Sequence, residues 1–414
     1  MNKKWDRLDN VAKIFPAIAG RTDSQVFRLS CELYEDINPE MLQRALDETM
    51  RVFSLYKYVL RRGLFWYYLE SRDVSPTVKE EHLPPCTGIY NKNRRTLLFE
   101  VTYFKNRVNL ELFHVLSDGT GATQFLKTLI TKYLSLVYED EEPAIDYDAS
   151  HSQRENDSFS KYYNDSAYKK MAPMPDAYRL SGFRNKEDRL KVVLGYTDVE
   201  GLKKLCKSRE MTITEYLCAV YTSSILETVP LRLRKKPIVL AVPVNLRKYF
   251  PSDSARNFFV LIYTSYIWKK DDTFEDILNK MKRDFESQLT EENLTKLMNA
   301  NIAAEHNLFA RIAPLPLKDI VLKIIYRKNI KKRTATISNL GKITMPPGLE
   351  KYVVGFEMFS GTDSLHLSVC SFGNRISLGF SSPFEECDVQ RNFFRELSKE
   401  GLPLEISCNI TEDE

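Results

Sequence analysis

One histidine lies at the end of an apolar, strand-like run and just before a tight turn. His114 ends the stretch "LELFH", and Asp118 and Gly119 follow it with the spacing His-x-x-x-Asp-Gly. Histidine has an unperturbed pKa near neutrality, so its imidazole can take a proton from a substrate and later return it. The spacing makes His114 a candidate general base. A structural histidine beside an ordinary Asp-Gly turn is the alternative that the pattern alone leaves open.

The residues after the histidine suggest what would surround it. Asp118 can point back at the strand or cap a helix that begins at Gly119. The first amides of such a helix carry unpaired N–H donors and a positive potential, which would stabilise an oxyanion beside the base. We expect Gly119 to permit a sharp bend and to leave open space next to the imidazole.

The flanking patterns supply the elements that must position this histidine. Residues 96–115 predict a hairpin with its turn at 105–107, which places His114 at the end of the second strand. Apolar residues recur at helical spacing after the motif and predict a helix over 119–138. Upstream, the Asn-Pro pair at 38–39 is typical of a helix N-cap and first position.

This arrangement resembles the superfamily of CoA-dependent acyltransferases, which includes chloramphenicol acetyltransferase, plant BAHD acyltransferases, nonribosomal-peptide condensation domains and alcohol acetyltransferases. Their active-site histidine lies in the same motif, which His114, Asp118 and Gly119 match. Many relatives carry a second histidine just before the catalytic one, whereas this chain has Phe113. The resemblance points most nearly to the bacterial alcohol acetyltransferase-like branch.

The second half of the chain extends the resemblance. The stretch "AVPVNLRKYFPSDSARNFF" is similar to a superfamily segment that Asn245, Arg247 and Asn257 match. In the family the arginine often pairs with the motif aspartate. The resemblance therefore implies an ion pair between Arg247 and Asp118, and a structural role for that aspartate rather than the role of a second base.

A third stretch, "TISNLG", resembles a late motif that lies across the channel from the histidine in relatives. Many relatives show Asp-Phe-Gly-Trp-Gly there, whereas this chain has Ser338, Asn339, Leu340 and Gly341. The resemblance implies that Ser338, Asn339 and Gly341 line the channel or help to hold an oxyanion.

The resemblance also implies a fold and a reaction. The fold class is α/β (α+β), with two chloramphenicol-acetyltransferase-like sandwich subdomains, each a mixed, largely antiparallel sheet with helices, and an active-site tunnel between them. We expect a CoA-dependent O-acyltransferase that moves an acyl group from acyl-CoA, such as acetyl-CoA, to a small-molecule alcohol or amine, with His114 as general base. No bound cofactor and no metal are expected.

Two other functions stay open at this point. The chain could be a free-standing condensation-type domain that acts on carrier-protein thioesters. It could also be a non-catalytic member of the fold that binds a ligand or a partner protein. Consumption of a thioester by the purified protein separates the enzymes from the binding protein, and dependence on a carrier separates the two enzymes.

The layout of the chain favours two domains. Its 414 residues exceed what one compact core usually holds. A polar, tyrosine-rich stretch follows Tyr138 and cannot bury much apolar area. We predict a first subdomain over 1–140, a crossover linker over 141–185 and a second subdomain over 186–414. Strands do not alternate singly with helices, and no G-x-G-x-x-G or Walker motif occurs, which disfavours nucleotide-binding folds.

Composition excludes several other classes of protein. A net charge of +4 is too small to predict a nucleic-acid binder. No run of about 18 apolar residues occurs, so no transmembrane segment is expected. The first residues lack the apolar core of a signal peptide. The seven cysteines form no C-x-x-C pair and suggest reduced thiols rather than a zinc site. We expect a cytoplasmic protein.

The remaining signals favour structural roles. We expect no role for His151, which lies in the linker, and structural roles for His306 and His366. The apolar stretch 308–333 ends in Lys331-Lys332-Arg333. It favours a buried helix capped by cations, and contact with a membrane surface is the alternative.

Overall fold

The computed structural model describes residues 5–138, 157–164, 173–306 and 312–410. His151 and most of the predicted linker lie outside these ranges, as does the side chain of His306. The domain bounds 1–140, 141–185 and 186–414 therefore stay a prediction.

The first half begins with strands and short helices and ends in a long helix. Its strands are β1 (Trp5–Arg7), β2 (Val26–Leu33), β3 (Tyr58–Arg62), β4 (Tyr67–Ser71), β5 (Lys79–Glu80), β6 (Phe99–Phe104) and β7 (Arg107–Phe113). Its helices are α1 (Phe15–Ile18), α2 (Pro39–Val52) and α3 (Gly119–Tyr138), and α4 (Ser158–Tyr162) follows them.

The second half has mostly eight-residue strands. Its strands are β8 (Lys191–Asp198), β9 (Ile238–Asn245), β10 (Phe259–Tyr266), β11 (Ala335–Lys342), β12 (Val353–Ser360), β13 (Leu365–Phe372), β14 (Arg375–Ser382) and β15 (Glu405–Cys408). Its helices are α5 (Val199–Ser208), α6 (Ile213–Thr228), α7 (Phe274–Gln288), α8 (Glu291–His306), α9 (Leu315–Ile330) and α10 (Asp388–Lys399).

Local sequence signals explain where the elements near the motif begin and end. The Asn38 side chain accepts hydrogen bonds from the amides of Glu40 and Met41, and Pro39 is the first residue of α2. Strand β7 ends at Phe113, and α3 covers the residues predicted for it. Residues 114–118 therefore form a short loop between a strand and a helix.

The strands form three sheets. Their orders are β1-β4-β3, β12-β2-β7-β6-β5 and β10-β9-β11-β13-β14-β8-β15. Most neighbouring strands are antiparallel, while β11 runs parallel to β9 and β13, and β5 runs parallel to β6. Together with the helices, these sheets confirm the α/β class with mixed, largely antiparallel sheets.

One strand connects the two halves. Strand β12 follows β11 in the chain, yet it pairs antiparallel with β2 and places Met358 opposite Leu29. Its side chains Phe356 and Met358 are buried in the apolar cluster of the first half. Chain from the second half therefore completes the sheet that carries β7, and this fixes the motif relative to both halves.

Helix α9 departs from its prediction. We expected a buried helix, but Leu315, Lys318 and Asp319 are the residues that the helix buries. Five large apolar side chains of α9 are exposed, namely Leu317, Ile320, Val321, Ile324 and Ile325. The prediction is wrong because polar contacts hold one side of the helix: Lys318 Nζ donates to the carbonyl oxygen of Phe65, and Tyr326 Oη donates to Asp23. Among the described helices, none has the length and apolarity to cross a bilayer.

Candidate active site

The imidazole of His114 lies among residues from both halves of the chain. Its ring stacks on Phe15 at a centroid distance of 4.7 Å and lies 5.0 Å from the ring of Phe27. Phe259, the first residue of β10, approaches to 5.6 Å from the other half. The histidine is half-buried. Its ring is therefore held by aromatic contacts and keeps some access to solvent.

Asn257 fixes the orientation of this ring. Its Oδ1 lies 2.9 Å from His114 Nδ1, and its Nδ2 donates to the carbonyl oxygen of His114 at 3.1 Å. Nδ2 also donates to Asp9 Oδ2 at 3.0 Å. Since both partners of Nδ2 are acceptors, the amide oxygen must face the imidazole. Nδ1 is then the protonated nitrogen of the neutral ring, and Nε2 keeps its lone pair.

The surroundings favour the neutral form of the ring. Burial lowers the pKa of His114 below its ordinary value. A contact with its own backbone carbonyl, the charge of Asp118 and the bond to Asn257 oppose that shift. The imidazole is therefore neutral near pH 7 and can accept a proton.

The carboxylate of Asp118 is fully engaged in structural contacts. Oδ2 lies 2.7 Å from Arg247 Nη1 and accepts the backbone N–H of Phe258 at 2.9 Å. Oδ1 accepts the N–H of Gly121 in the first turn of α3. Both charged side chains are largely buried. Asp118 thus ties the start of α3 to the β9–β10 loop, residues 246–258.

Arg247 and Asn245 hold that loop in shape. Arg247 Nη2 donates to the carbonyl oxygen of Ser254 at 2.8 Å, and Nε donates to the same oxygen at 3.2 Å. Asn245 Oδ1 accepts the backbone N–H of Arg247, and its Nδ2 donates to Thr120 Oγ1 at 3.0 Å. The structure thus brings Asn245, Arg247 and Asn257 to the His-x-x-x-Asp-Gly motif.

The glycines of α3 act differently from what the sequence suggested. Gly119 has no left-handed φ, and a Cβ there would meet the Leu340 side chain at 2.6 Å. The sharp bend and open space expected at Gly119 are therefore not found. Gly121 is the tighter position, because its Cβ would lie 2.1 Å from the carbonyl oxygen of Ala255. Only glycine lets α3 approach the β9–β10 loop so closely.

Strand β11 brings one of its predicted residues towards a second histidine. Ser338 Oγ lies 2.9 Å from His366 Nε2 on the adjacent β13. Asn339 points elsewhere, since its Nδ2 donates to Thr214 Oγ1 and its Oδ1 accepts the N–H of Gly341. Successive residues of a strand face opposite sides, so Asn339 cannot share the side of Ser338. The oxyanion or channel role expected of Asn339 stays a prediction.

Gly341 shapes the end of that strand. Its φ is +77°, and the pairing of β11 with β13 shifts register between Asn339 and Gly341. Such a bulge with a left-handed glycine re-aims the neighbouring side chain. It places Leu340 against Gly119.

Several residues of the site carry no sequence motif, among them Phe27, Phe259, Phe15 and Asp9. Phe15 stacks on the imidazole from helix α1. Asp9 contacts Asn257 and is 2% exposed. Both belong to an N-terminal segment without a motif, so no sequence signal marked them. Among the described residues, no group of three or more His, Cys, Asp or Glu side chains is placed to hold a metal ion.

Comparisons with known proteins identify the family. The model of the alcohol acetyltransferase family matches residues 150–391, which is more than half of the chain. The match includes the β9–β10 loop and begins after His114. The chain therefore belongs to the alcohol acetyltransferase family. No curated protein matches it by sequence.

Solved structures agree with the fold. The first condensation domain of the CDA synthetase has a TM-score of 0.64 at 13% identity, covering 96% of each chain. Trichothecene 15-O-acetyltransferase from Fusarium sporotrichioides has a TM-score of 0.62 at 10% identity, covering 96% of this chain and 95% of that one. A variant of the starter condensation domain of rhizomide synthetase in complex with C8-CoA has a TM-score of 0.62 at 12% identity, covering 95% and 94%.

These likenesses show that the chain shares its fold with condensation domains and with an O-acetyltransferase. Family and fold together support acyltransferase activity in general.

Proposed function

We propose that the protein transfers an acyl group from acyl-CoA to the hydroxyl group of a small alcohol, or to an amine, with His114 as general base. The observation that carries this proposal is the contact of 2.9 Å between His114 Nδ1 and Asn257 Oδ1, which leaves Nε2 as the other nitrogen of the ring. A general base needs a free lone pair on a half-buried ring, and Nε2 provides one.

The reaction needs one proton shuttle. His114 Nε2 takes the proton of the acceptor O–H while the oxygen attacks the thioester carbonyl carbon. The C–S bond of the tetrahedral intermediate then breaks, and Nε2 returns the proton to the departing thiolate. The N–H groups of Gly119 and Thr120 at the start of α3 are candidates to stabilise the oxyanion, since the first amides of a helix lack intrahelical acceptors. The N–H of Gly121 is already bonded to Asp118 Oδ1.

Two findings support the choice of donor and acceptor. The chain belongs to the alcohol acetyltransferase family, which favours an acetyl donor and an alcohol acceptor. The structurally similar starter condensation domain of rhizomide synthetase was solved with C8-CoA, so this fold can hold an acyl-CoA.

The test is a panel of donors and acceptors. Purified protein is mixed with acetyl-CoA or octanoyl-CoA and with primary alcohols or amines, and thiol release and product mass are followed. We expect thiol release that depends on the acceptor and yields the matching ester or amide. Release only from a phosphopantetheinylated carrier thioester would favour the condensation-type function. Binding of octanoyl-CoA without turnover of either donor type would favour a non-catalytic protein.

A further inference from the structure

We propose that Asp9 is a positioning residue that sets which nitrogen of His114 carries the proton, and that it acts through the Asn257 amide. This inference rests on the proposed base role of His114. Asp9 touches neither the imidazole nor the reacting atoms. Its effect on catalysis passes through one side chain.

The contacts of the Asp9 carboxylate are directed at one neighbour. Oδ2 accepts from Asn257 Nδ2 at 3.0 Å and from the Asn257 backbone N–H at 3.3 Å. Oδ1 accepts the N–H of Ala12 at 2.7 Å, in the 3-10 turn that follows. The buried carboxylate thus faces three N–H donors, and two of them belong to Asn257.

An amide can turn over and exchange its oxygen and nitrogen, so something must define its orientation. With the observed orientation, Asn257 Oδ1 faces His114 Nδ1, which must then be protonated. With the amide turned over, Nδ2–H would face the ring nitrogen and make it an acceptor. The proton would then sit on Nε2, and the lone pair needed by the acceptor would be lost.

Asp9 disfavours the turned-over amide. In that state Asn257 Oδ1 would lie against Oδ2 of the ionised Asp9, and two acceptors would meet in a buried place. A buried polar contact of this kind is costly. The carbonyl oxygen of His114 opposes the same change, because it accepts from Nδ2 as well. Once ionised, Asp9 therefore adds a second acceptor, which holds the amide nitrogen on its own side and away from the ring.

The carboxylate at position 9 has no direct ion pair among its described contacts. The nearby Arg256 donates instead to Asp6 Oδ2 at 2.5 Å and to the carbonyl oxygen of Arg7 at 2.7 Å. An asparagine at position 9 could hold the turn at Ala12 through its oxygen, but it would then present an NH₂ group to Asn257. A residue that only capped the turn at Ala12 would need one acceptor, as Oδ1 provides. Control of the Asn257 amide needs a second acceptor, in the place of Oδ2.

The experiment reads the proton position directly. Protein labelled with ¹⁵N-histidine is studied by long-range ¹H–¹⁵N correlation at a pH well above about 7, where the imidazole is neutral and Asp9 is ionised, and His114→Gln assigns the signal. In the native protein we expect Nδ1 to carry the proton and Nε2 to have the shift of a bare nitrogen. In Asp9→Asn we expect a mixture of tautomers or the reverse tautomer.

Asp6→Asn is the matched control. This substitution removes the charge that pairs with Arg256 in the same N-terminal segment, and Asp6 makes no contact with Asn257 among its described contacts. We expect this variant to keep the native tautomer even if its unfolding temperature falls. An unchanged tautomer in Asp9→Asn, or an Nε2–H tautomer in the native protein, would overturn the proposal.

Turnover provides a second and separate readout. With octanoyl-CoA and an alcohol accepted by the native protein, Asp9→Asn should lower kcat by roughly tenfold or more, with less effect on KM. If the native protein consumes no thioester, the proposed function fails, while the tautomer measurement still decides the role of Asp9. If turnover is normal in Asp9→Asn although its tautomer has changed, Asp9 does not position the base for catalysis.

Discussion

His114 and Asp118 are four residues apart and are held by the same β9–β10 loop, yet the two contacts are built differently. His114 makes a neutral hydrogen bond to Asn257 and keeps part of its ring accessible. Both carboxylate oxygens of Asp118 accept hydrogen bonds, from Arg247, Phe258 and Gly121. The first contact leaves one nitrogen available for chemistry. The second leaves no oxygen available.

The difference assigns two roles within one short motif: His114 is suited to act as a base, and Asp118 to hold the structure together. A group that moves protons must change its charge, so its partner must tolerate the neutral form. A group that joins two halves is best kept charged and saturated with donors. The loss of His114 should therefore affect rate without stability, and the loss of the Asp118 contact should affect stability first.

The largest effect is expected from His114→Ala. Loss of a general base typically lowers the rate by about 10²–10⁴-fold, and we expect turnover to fall by that order. The ring is only half-buried and carries no structural ion pair among its described contacts, so the variant should fold. Thiol release and thermal unfolding, measured side by side, test this. Full turnover with an identified acceptor would make His114 structural and remove the distinction.

The next largest effect is expected from Arg247→Ala. It leaves the buried carboxylate of Asp118 without its cation, and breaking a buried pair costs roughly 3–5 kcal/mol. The free energy of unfolding, measured by denaturant titration, should fall by that amount. The neighbouring exposed Lys248→Ala is the matched control and should change stability little. Equal stability of the two variants would show that the pair does not hold the halves together.

A third effect concerns pH and the carboxyl group behind the histidine. Burial raises the pKa of Asp9 to about 7 from its ordinary 3.8, while hydrogen bonds from Asn257 and Ala12 act against that rise. The native state therefore holds this proton where the unfolded state has lost it. Stability should fall as the pH rises through the window between those two values, by roughly 2–4 kcal/mol.

Asp9→Asn isolates this contribution. The variant cannot titrate at position 9, so the wild-type protein should lose stability relative to it as the pH rises from about 4 to 7. Denaturant titrations at several pH values give the difference. A difference that does not change with pH would mean that the native carboxyl has its ordinary pKa. Charges of Asp157 and Arg256 act on the same group, in opposite directions.

A smaller effect is expected from Asp118→Asn. The amide keeps the shape of the carboxylate but loses its charge, and hydrogen bonds to charged groups contribute about 1.5–3 kcal/mol. Arg247 keeps its bonds to the carbonyl oxygen of Ser254, which limits the loss. We expect lower thermal stability and a partial loss of turnover. A double-mutant cycle with Arg247→Ala measures the coupling of the pair, and a coupling near zero would contradict the contact.

Local patterns predicted much of the fold near the motif. Helix α3 and the hairpin before His114 follow from apolar spacing and turn residues, which act over short distances. The place of β12 could not be predicted, because an apolar strand pattern shows that a face is buried but not which sheet it joins. Its pairing with β2 is a contact between distant parts of the chain.

The residues of the site likewise fall into those that the sequence predicted and those that it did not. Arg247 and Asn257 were found through family resemblance, whereas Asp9 is a single aspartate in a segment without a pattern. Its bond to Asn257 spans 248 residues along the chain, so no local signal could mark it. Ser338 and Asn339 are a case that a local rule does describe, since the alternation of a strand puts neighbouring residues on opposite faces.

The smallest effect is expected from His366→Gln, which replaces the second histidine of the region. Burial lowers the pKa of His366 to about 3, with the charges of Arg333 and His114 acting in the same direction. A pKa this low makes the His366 ring a poor proton acceptor near pH 7, and its Nε2 is engaged with Ser338 Oγ. We expect turnover within about threefold of the native value, far from the loss that removal of a general base causes. Glutamine keeps a polar atom for Ser338. The free energy of unfolding should therefore change by no more than about 1 kcal/mol, the contribution of one hydrogen bond. Thiol release with the same donor and acceptor as for His114→Ala decides the matter. A loss of turnover as large as that of His114→Ala would mean that His366 takes part in the chemistry together with His114.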